Sequence, residues 1–186
     1  MKKYLCRMAV LAMAFAMAFA LSACGGSGNT VTVNETDAKG LVEATGISLD
    51  APAGAEDVTY GYIEGEETIA QVTFTLDGKS FTYRAASTDE TALVEEDDNS
   101  VSVDDGLEEA AELAGLEDSV WKGAAVADIG RCRGIYARSS DKMSIVSWID
   151  VAPGIMYVMI ANDNVEQMTI INVAQKAFVP MQGEVG

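Results

Sequence analysis

The chain has no histidine and only three cysteines, at positions 6, 24 and 132. The missing imidazole excludes Ser-His and Cys-His catalysis and every His-containing zinc site. Positive charge is also scarce, with 12 Lys and Arg against 29 Asp and Glu and a net charge of −17. Such a field opposes nucleic acid and anionic lipid headgroups and attracts cations and basic proteins. No phosphate-binding loop or nucleic-acid motif accompanies the few basic residues. The longest uncharged apolar run, Met8 to Leu21, has 14 residues. A membrane-spanning helix needs about 20, so this run is too short to be one.

What is present begins with that run. Lys2, Lys3 and Arg7 precede it, and Ser22 and Ala23 follow it. A charged start, an apolar core and a small-residue cleavage zone form the pattern of an export signal. The segment Leu21-Ser22-Ala23-Cys24 resembles the bacterial lipobox. That resemblance implies a diacylglyceryl group on the Cys24 thiol and cleavage just before it, leaving Cys24 as the mature N-terminus. Only a thiol makes the thioether, and small neighbours let the backbone enter the processing enzymes extended. Each buried methylene is worth about 0.8 kcal/mol, and stable anchoring takes two acyl chains, which a diacylglyceryl group supplies. Gly25, Gly26, Ser27 and Gly28 then read as a flexible tether.

The expected organisation is a signal peptide at 1–23, the lipidated Cys24 with its tether at 24–34, one α+β domain at 35–179 and a loose tail at 180–186. The mature chain would have 163 residues, with nine basic residues against 29 acidic ones and a net charge of −20. That length can bury a core without covalent staples. With Cys6 removed and Cys24 lipidated, Cys132 stands alone, so neither an intrachain disulfide nor a thiolate zinc site can form.

Along the domain, Glu35 to Thr45 predicts a short helix stopped by Gly46. "VTYGYI" predicts a strand. In "AQVTFTLDGKSFTYRA", apolar and polar residues alternate on both sides of Asp77-Gly78, the chemistry of a type I′ turn. The register sets Phe74 opposite Phe81 and Val72 opposite Tyr83, with Thr, Ser, Lys and Arg on the other face. Asp89 to Asp118 carries 13 acidic residues and no basic one. Its second half has a helical stripe of Leu107, Ala110, Ala111 and Ala114. Strand patterns return from Val120 to Ala161, and 162–178 closes the chain as a helix. Asp163 and Glu166 have the spacing of a capping box. The expected fold is α+β: curved antiparallel sheet built from hairpins, flanked by an N-terminal, an acidic middle and a C-terminal helix.

Several groups are candidates for chemistry. Cys132 lies between Arg131 and Arg133, which would activate a thiol. In a strand, however, the arginines point away while Cys132 shares its face with Gly134 and Tyr136, which favours a buried thiol. Lys122, Arg131, Arg133, Arg138 and Lys142 fall within 21 positions, either an anion site or a basic strand face balancing the acidic run. Asp98, Ser100, Ser102, Asp104 and Glu109 sit at positions 1, 3, 5, 7 and 12 of a calcium hand, but Val103 occupies the required glycine position. A looser site from Asp97, Asp98, Asp104 and Asp105 stays open against a solvated acidic loop. Tyr60, Tyr62, Trp121 and Trp148 are either groove-lining or core aromatics. The 12-residue spacing from Tyr62 to Phe74 returns from Tyr136 to Trp148, and the three-residue spacing from Gly78 to Phe81 returns from Gly154 to Tyr157. This is either a duplicated unit or the common spacing of hairpins.

The stretch "GISLDAPAGAEDVTYGYIEGEETIAQVTFTLDGKSFTYRAAS", with the later Trp148, Gly154 and Tyr157 and a terminal helix, resembles a family of uncharacterised bacterial cell-surface lipoproteins. The likeness spans most of Thr36 to Phe178. Where that family often continues into an Asp-Ile-Ser-Gly stretch, this chain has "STDETALVEEDDNS". The resemblance implies a fold and a compartment and carries over no catalytic residue. The expected function is that of a non-enzymatic module anchored by lipid on the extracytoplasmic face of the cell membrane. Its expected partners are that membrane and a cationic protein or peptide, with no nucleic acid and no cofactor. The alternatives are a small envelope hydrolase using paired carboxylates, of which the sequence selects no pair, and a transport lipoprotein, for which the chain is short.

Overall fold

The computed structural model describes residues 32–97 and 100–180. The expected signal, Cys24 and most of the tether lie outside the described residues, as does all of the expected tail but Pro180. In chain order the elements are β1 (Asn34–Thr36), α1 (Ala38–Thr45), β2 (Glu56–Ile63), β3 (Ile69–Leu76), β4 (Lys79–Ser87), β5 (Glu95–Asp97), β6 (Ser100–Ser102), α2 (Asp104–Ala114), β7 (Trp121–Ile129), β8 (Cys132–Ser139), β9 (Ser144–Asp150), β10 (Ile155–Ala161) and α3 (Gln167–Ala177). Eight strands form one open, curved, antiparallel sheet in the order β1-β2-β3-β4-β10-β9-β8-β7, and β5-β6 form a small separate hairpin. The fold is α+β, with three helices on the sheet.

Two meanders build the sheet and meet where β4 pairs with β10. The first contains the predicted hairpin. Asp77 and Gly78 both take positive φ, 51° and 70°, as a type I′ turn requires. The turn sets Phe74 opposite Phe81 and Val72 opposite Tyr83. The same cross-strand pair recurs in the second meander, where Trp148 stands opposite Tyr157. The Tyr62 to Phe74 spacing has no such equivalence. Tyr62 pairs with Ala70 whereas Tyr136 pairs with Val146, and it is Tyr60 that likewise faces a valine, Val72. The echo is thus confined to the cross-strand aromatic pairs of the hairpins.

Helix ends differ from expectation for local reasons. Asn34–Thr36 pairs with β2, so α1 starts only at Ala38, with the Asp37 carboxylate accepting from the Gly40 N–H at 2.7 Å. The 163/166 capping box does not form. Asp163 instead accepts from the Ser80 N–H at 2.8 Å, tying the chain to the start of β4, and α3 begins after Glu166 without a side-chain cap.

The sheet is covered on both faces. Leu41 of α1 and Ile170, Ile171, Val173 and Ala174 of α3 pack on one face, with Val72, Phe74, Phe81, Tyr83, Trp148 and Tyr157. Ala110, Leu113 and Ala114 of α2 pack on the other, with Ala86, Ile135, Ile145, Val158 and Ile160. Double coverage explains why every residue of β9 and β10 is buried. Trp148 and Tyr157 stack with ring centroids 5.4 Å apart, and Phe178 meets Trp148 edge-on at 5.5 Å.

Candidate functional site

Two clefts open in the domain, one beside α2 and one at the β7–β8 turn. The first is acidic. Its lining is Asp104, Leu107, Glu108, Ala111 and Glu112 of α2, with Glu117 and Trp121, around a volume of about 360 Å³. The amphipathic spacing of α2 turns Ala110 and Leu113 to the sheet and leaves its glutamates outward. Trp121 and Leu107, both half-buried, pack against the core below and give the cleft an apolar floor. Carboxylates crowd this helix. Burial, and then Glu90, Glu112, Asp105 and Glu108, push up the pKa of Glu109, one position outside the cleft.

Arg84 of β4 holds α2 in place. Its Nε donates to Gln71 Oε1 at 2.8 Å, and its Nη1 donates to the Leu113 carbonyl at 3.2 Å. A cation at a helix C-terminus also complements the helix dipole. Burial pushes the guanidinium pKa down, and Glu117 works against that.

The second cleft, about 440 Å³, lies at the β7–β8 turn and is lined by Thr91, Ala92, Val94, Arg131, Cys132, Arg133, Ile149, Asp150, Val151 and Ala152. Asp150 is a buried carboxylate at the end of an apolar strand. The exposed Arg131 closes over it, with Nη2 at 2.9 Å from Oδ1 and 3.2 Å from Oδ2. A charge this deep needs such a partner. Cys132 is buried and shares the core with Tyr136, as strand alternation predicts, but Arg131 precedes the strand and does not point away: it lines the same cleft as the thiol. Burial, followed by the Asp150 charge, pushes its thiol pKa up, against a smaller opposing effect of Arg131. The thiol thus has a raised pKa and belongs to a buried side chain at the edge of the cleft. A thiol reagent at neutral pH is expected to leave Cys132 unlabelled in the folded chain and to react after denaturation; rapid labelling of the folded chain contradicts this.

The other candidates are scattered. Arg131 and Arg133 both line the second cleft, but Arg138 lies near the far end of β8, Lys142 sits in the next turn and Lys122 lies on β7, so the five basic residues form no single site. Arg131 pairs with Asp150 and Arg138 donates to Asn164, neither of them in the 89–118 acidic run. The balancing face expected of these residues is therefore not seen in these two contacts. Asp98 of the calcium reading lies outside the described residues. Ser100 and Ser102 belong to a hairpin strand, and Asp104 opens α2. Among the described residues no three His, Cys, Asp or Glu gather closely enough to hold a metal ion. Tyr60 and Tyr62 lie on β2 and Trp121 on β7, at opposite sides of the sheet, while Trp148 is wholly buried between them. These four aromatics share no groove.

Sequence reasoning missed Arg84 and Asp150. Arg84 read only as part of the polar face of the hairpin, because nothing local announces that α2 will cover it. Asp150 did leave a signal: it follows Val146 and Trp148 at alternate positions, an acid on the inward face of a buried strand. No family model, curated protein or solved structure matches the chain.

Proposed function

We propose that this chain is a lipid-anchored, non-enzymatic binding protein on the extracytoplasmic face of a bacterial membrane, taking a cationic protein or peptide in the cleft between α2 and Trp121. The observation that carries the ligand class is that cleft: four carboxylates ring an apolar and aromatic floor. A lysine or arginine side chain matches it, with an apolar stem for Leu107 and Ala111 and a charged head for the acids. The indole of Trp121 adds a cation–π surface. The same four carboxylates are what favours the alternative, a hydrolase. Binding fits the cleft better, because an apolar floor and a uniform negative rim suit a held cation.

The anchoring half rests on the lipobox pattern ending in Cys24. No helix among the described residues is long and apolar enough to cross a membrane. Wild-type chain is expected to stay with membranes through high-salt washing, since salt screens charge but not acyl burial. Cys24→Ala removes the lipid acceptor, so the variant is expected to accumulate unprocessed or to be released in soluble form. Loss of the wild type in salt, or processing and retention of Cys24→Ala equal to wild type, overturns the anchor.

A further inference from the structure

β7 ends the sheet on one side, with no strand beyond it among the described residues. Its middle is Gly123, Ala124, Ala125, Val126 and Ala127, with Gly123 and Ala125 exposed. A two-residue turn joins Ile129 to its partner Cys132. From Gly123 to Ile129, odd-numbered residues therefore exchange hydrogen bonds with β8 and even-numbered ones direct N–H and C=O outward; beyond the bulge the parity reverses, and the Val120 carbonyl accepts from the Ser140 N–H at 2.7 Å. Gln175 agrees with this assignment. Its Nε2 donates to the Asp128 carbonyl at 2.9 Å from outside the ladder. That contact closes the edge at Asp128 and leaves Ala124 and Val126 open.

We propose that β7 pairs with β7 of a second copy of this chain, antiparallel about a two-fold axis at Ala125. Outward groups match only when even-numbered residues oppose even-numbered ones. Centred on Ala125, the register sets Ala124 opposite Val126, and Lys122 opposite Asp128, each of them twice. Centred on Ala124 it would set Asp128 against Val120, whose carbonyl already bonds the Ser140 N–H, and centred on Val126 against Ala124. The Ala125 register is thus the one of these three that turns both edge charges into opposite-sign pairs. The axis pair is of the close type, with Cα atoms about 4.5 Å apart, which alanine tolerates. The central exchange adds about four N–H···O bonds. Lys122 is the extra residue of a bulge between Trp121 and Gly123. A bulge and a lysine are devices that repel foreign edges. The axis runs perpendicular to the sheet, so the α2 faces of both copies point the same way and present two acidic clefts to one partner.

The test uses the full chain in detergent micelles. Ala125→Cys places two thiols on the axis at a separation suited to a disulfide. Mild oxidation is expected to crosslink this variant at least tenfold faster than wild type, which carries only its own thiols. Adding Val126→Pro removes an outward N–H while sparing the β8 ladder, and is expected to abolish the crosslink with the circular dichroism unchanged. Adding Lys122→Asp is expected to suppress it tenfold, and adding Asp128→Lys as well is expected to restore it. Crosslinking of Ala125→Cys no faster than wild type overturns the proposal, as does crosslinking indifferent to both Val126→Pro and Lys122→Asp.

Discussion

Gly134→Ala is expected to destabilise the domain by about 3 kcal/mol or more, the range of severe overpacking. Gly134 pairs with Trp148 across β8 and β9. A β-carbon at 134 would lie 2.0 Å from the Ser147 carbonyl oxygen and 2.9 Å from Trp148 Cβ. The first neighbour is backbone and cannot rotate away. The second belongs to a fully buried indole stacked on Tyr157 and met by Phe178. Both meanders depend on that aromatic stack, since Tyr83 of β4 also joins it at 5.8 Å from Trp148. Gly123→Ala is the control. Nothing lies within 4 Å of its added carbon, so the midpoint of denaturant unfolding is expected to stay near wild type. Equal midpoints for the two variants would show that Gly134 is not where the sheet closes on Trp148.

Arg84→Met is expected to cost about 2–3 kcal/mol, the penalty for stranding buried acceptors that had bonded a charged donor. Methionine keeps an apolar stem but leaves Gln71 Oε1 and the Leu113 carbonyl without this donor. The loss should be local as well as global. Amide exchange in 104–114 is expected to accelerate more than in β9 and β10, because Arg84 ties α2 to the sheet while those strands are held on both sides. Arg84→Lys keeps the charge without the fork and is expected to fall between. Unchanged stability together with unchanged exchange in α2 would remove Arg84 from the account.

The features legible in the sequence are those whose cause is local. Asp77-Gly78 specifies a turn by backbone conformation, and the alternation around it fixes the register down to Phe74 and Phe81. Gly46 and the stripe on α2 mark elements the same way. What the sequence hid depends on distant segments. The face of β4 that carries Thr, Ser, Lys and Arg gives no sign of a cover, yet α2 covers Arg84 and Ala86 from some 30 residues away. The capping-box spacing at Asp163 lost to a contact with Ser80, 83 positions earlier, which no local pattern anticipates. The acidic cleft was half visible. The charge run and the helix were legible, but the meeting of that helix with Trp121 was not, because it depends on β7 being the edge strand beside α2.

Binding at that cleft is measured most directly through Trp121. The chain has two tryptophans, and Trp148 is fully buried, so a surface ligand is reported by Trp121. Full-length chain titrated with an oligolysine peptide at low ionic strength is expected to show a saturable change in tryptophan emission. The change should be absent with oligoglutamate and lost in about 1 M salt, where the Debye length is about 3 Å. It should weaken at least tenfold in the double variant Glu108→Gln, Glu112→Gln, which neutralises two walls of the cleft without touching its floor. No emission change at any peptide concentration, or the same affinity in the double variant, would contradict the cationic-ligand account.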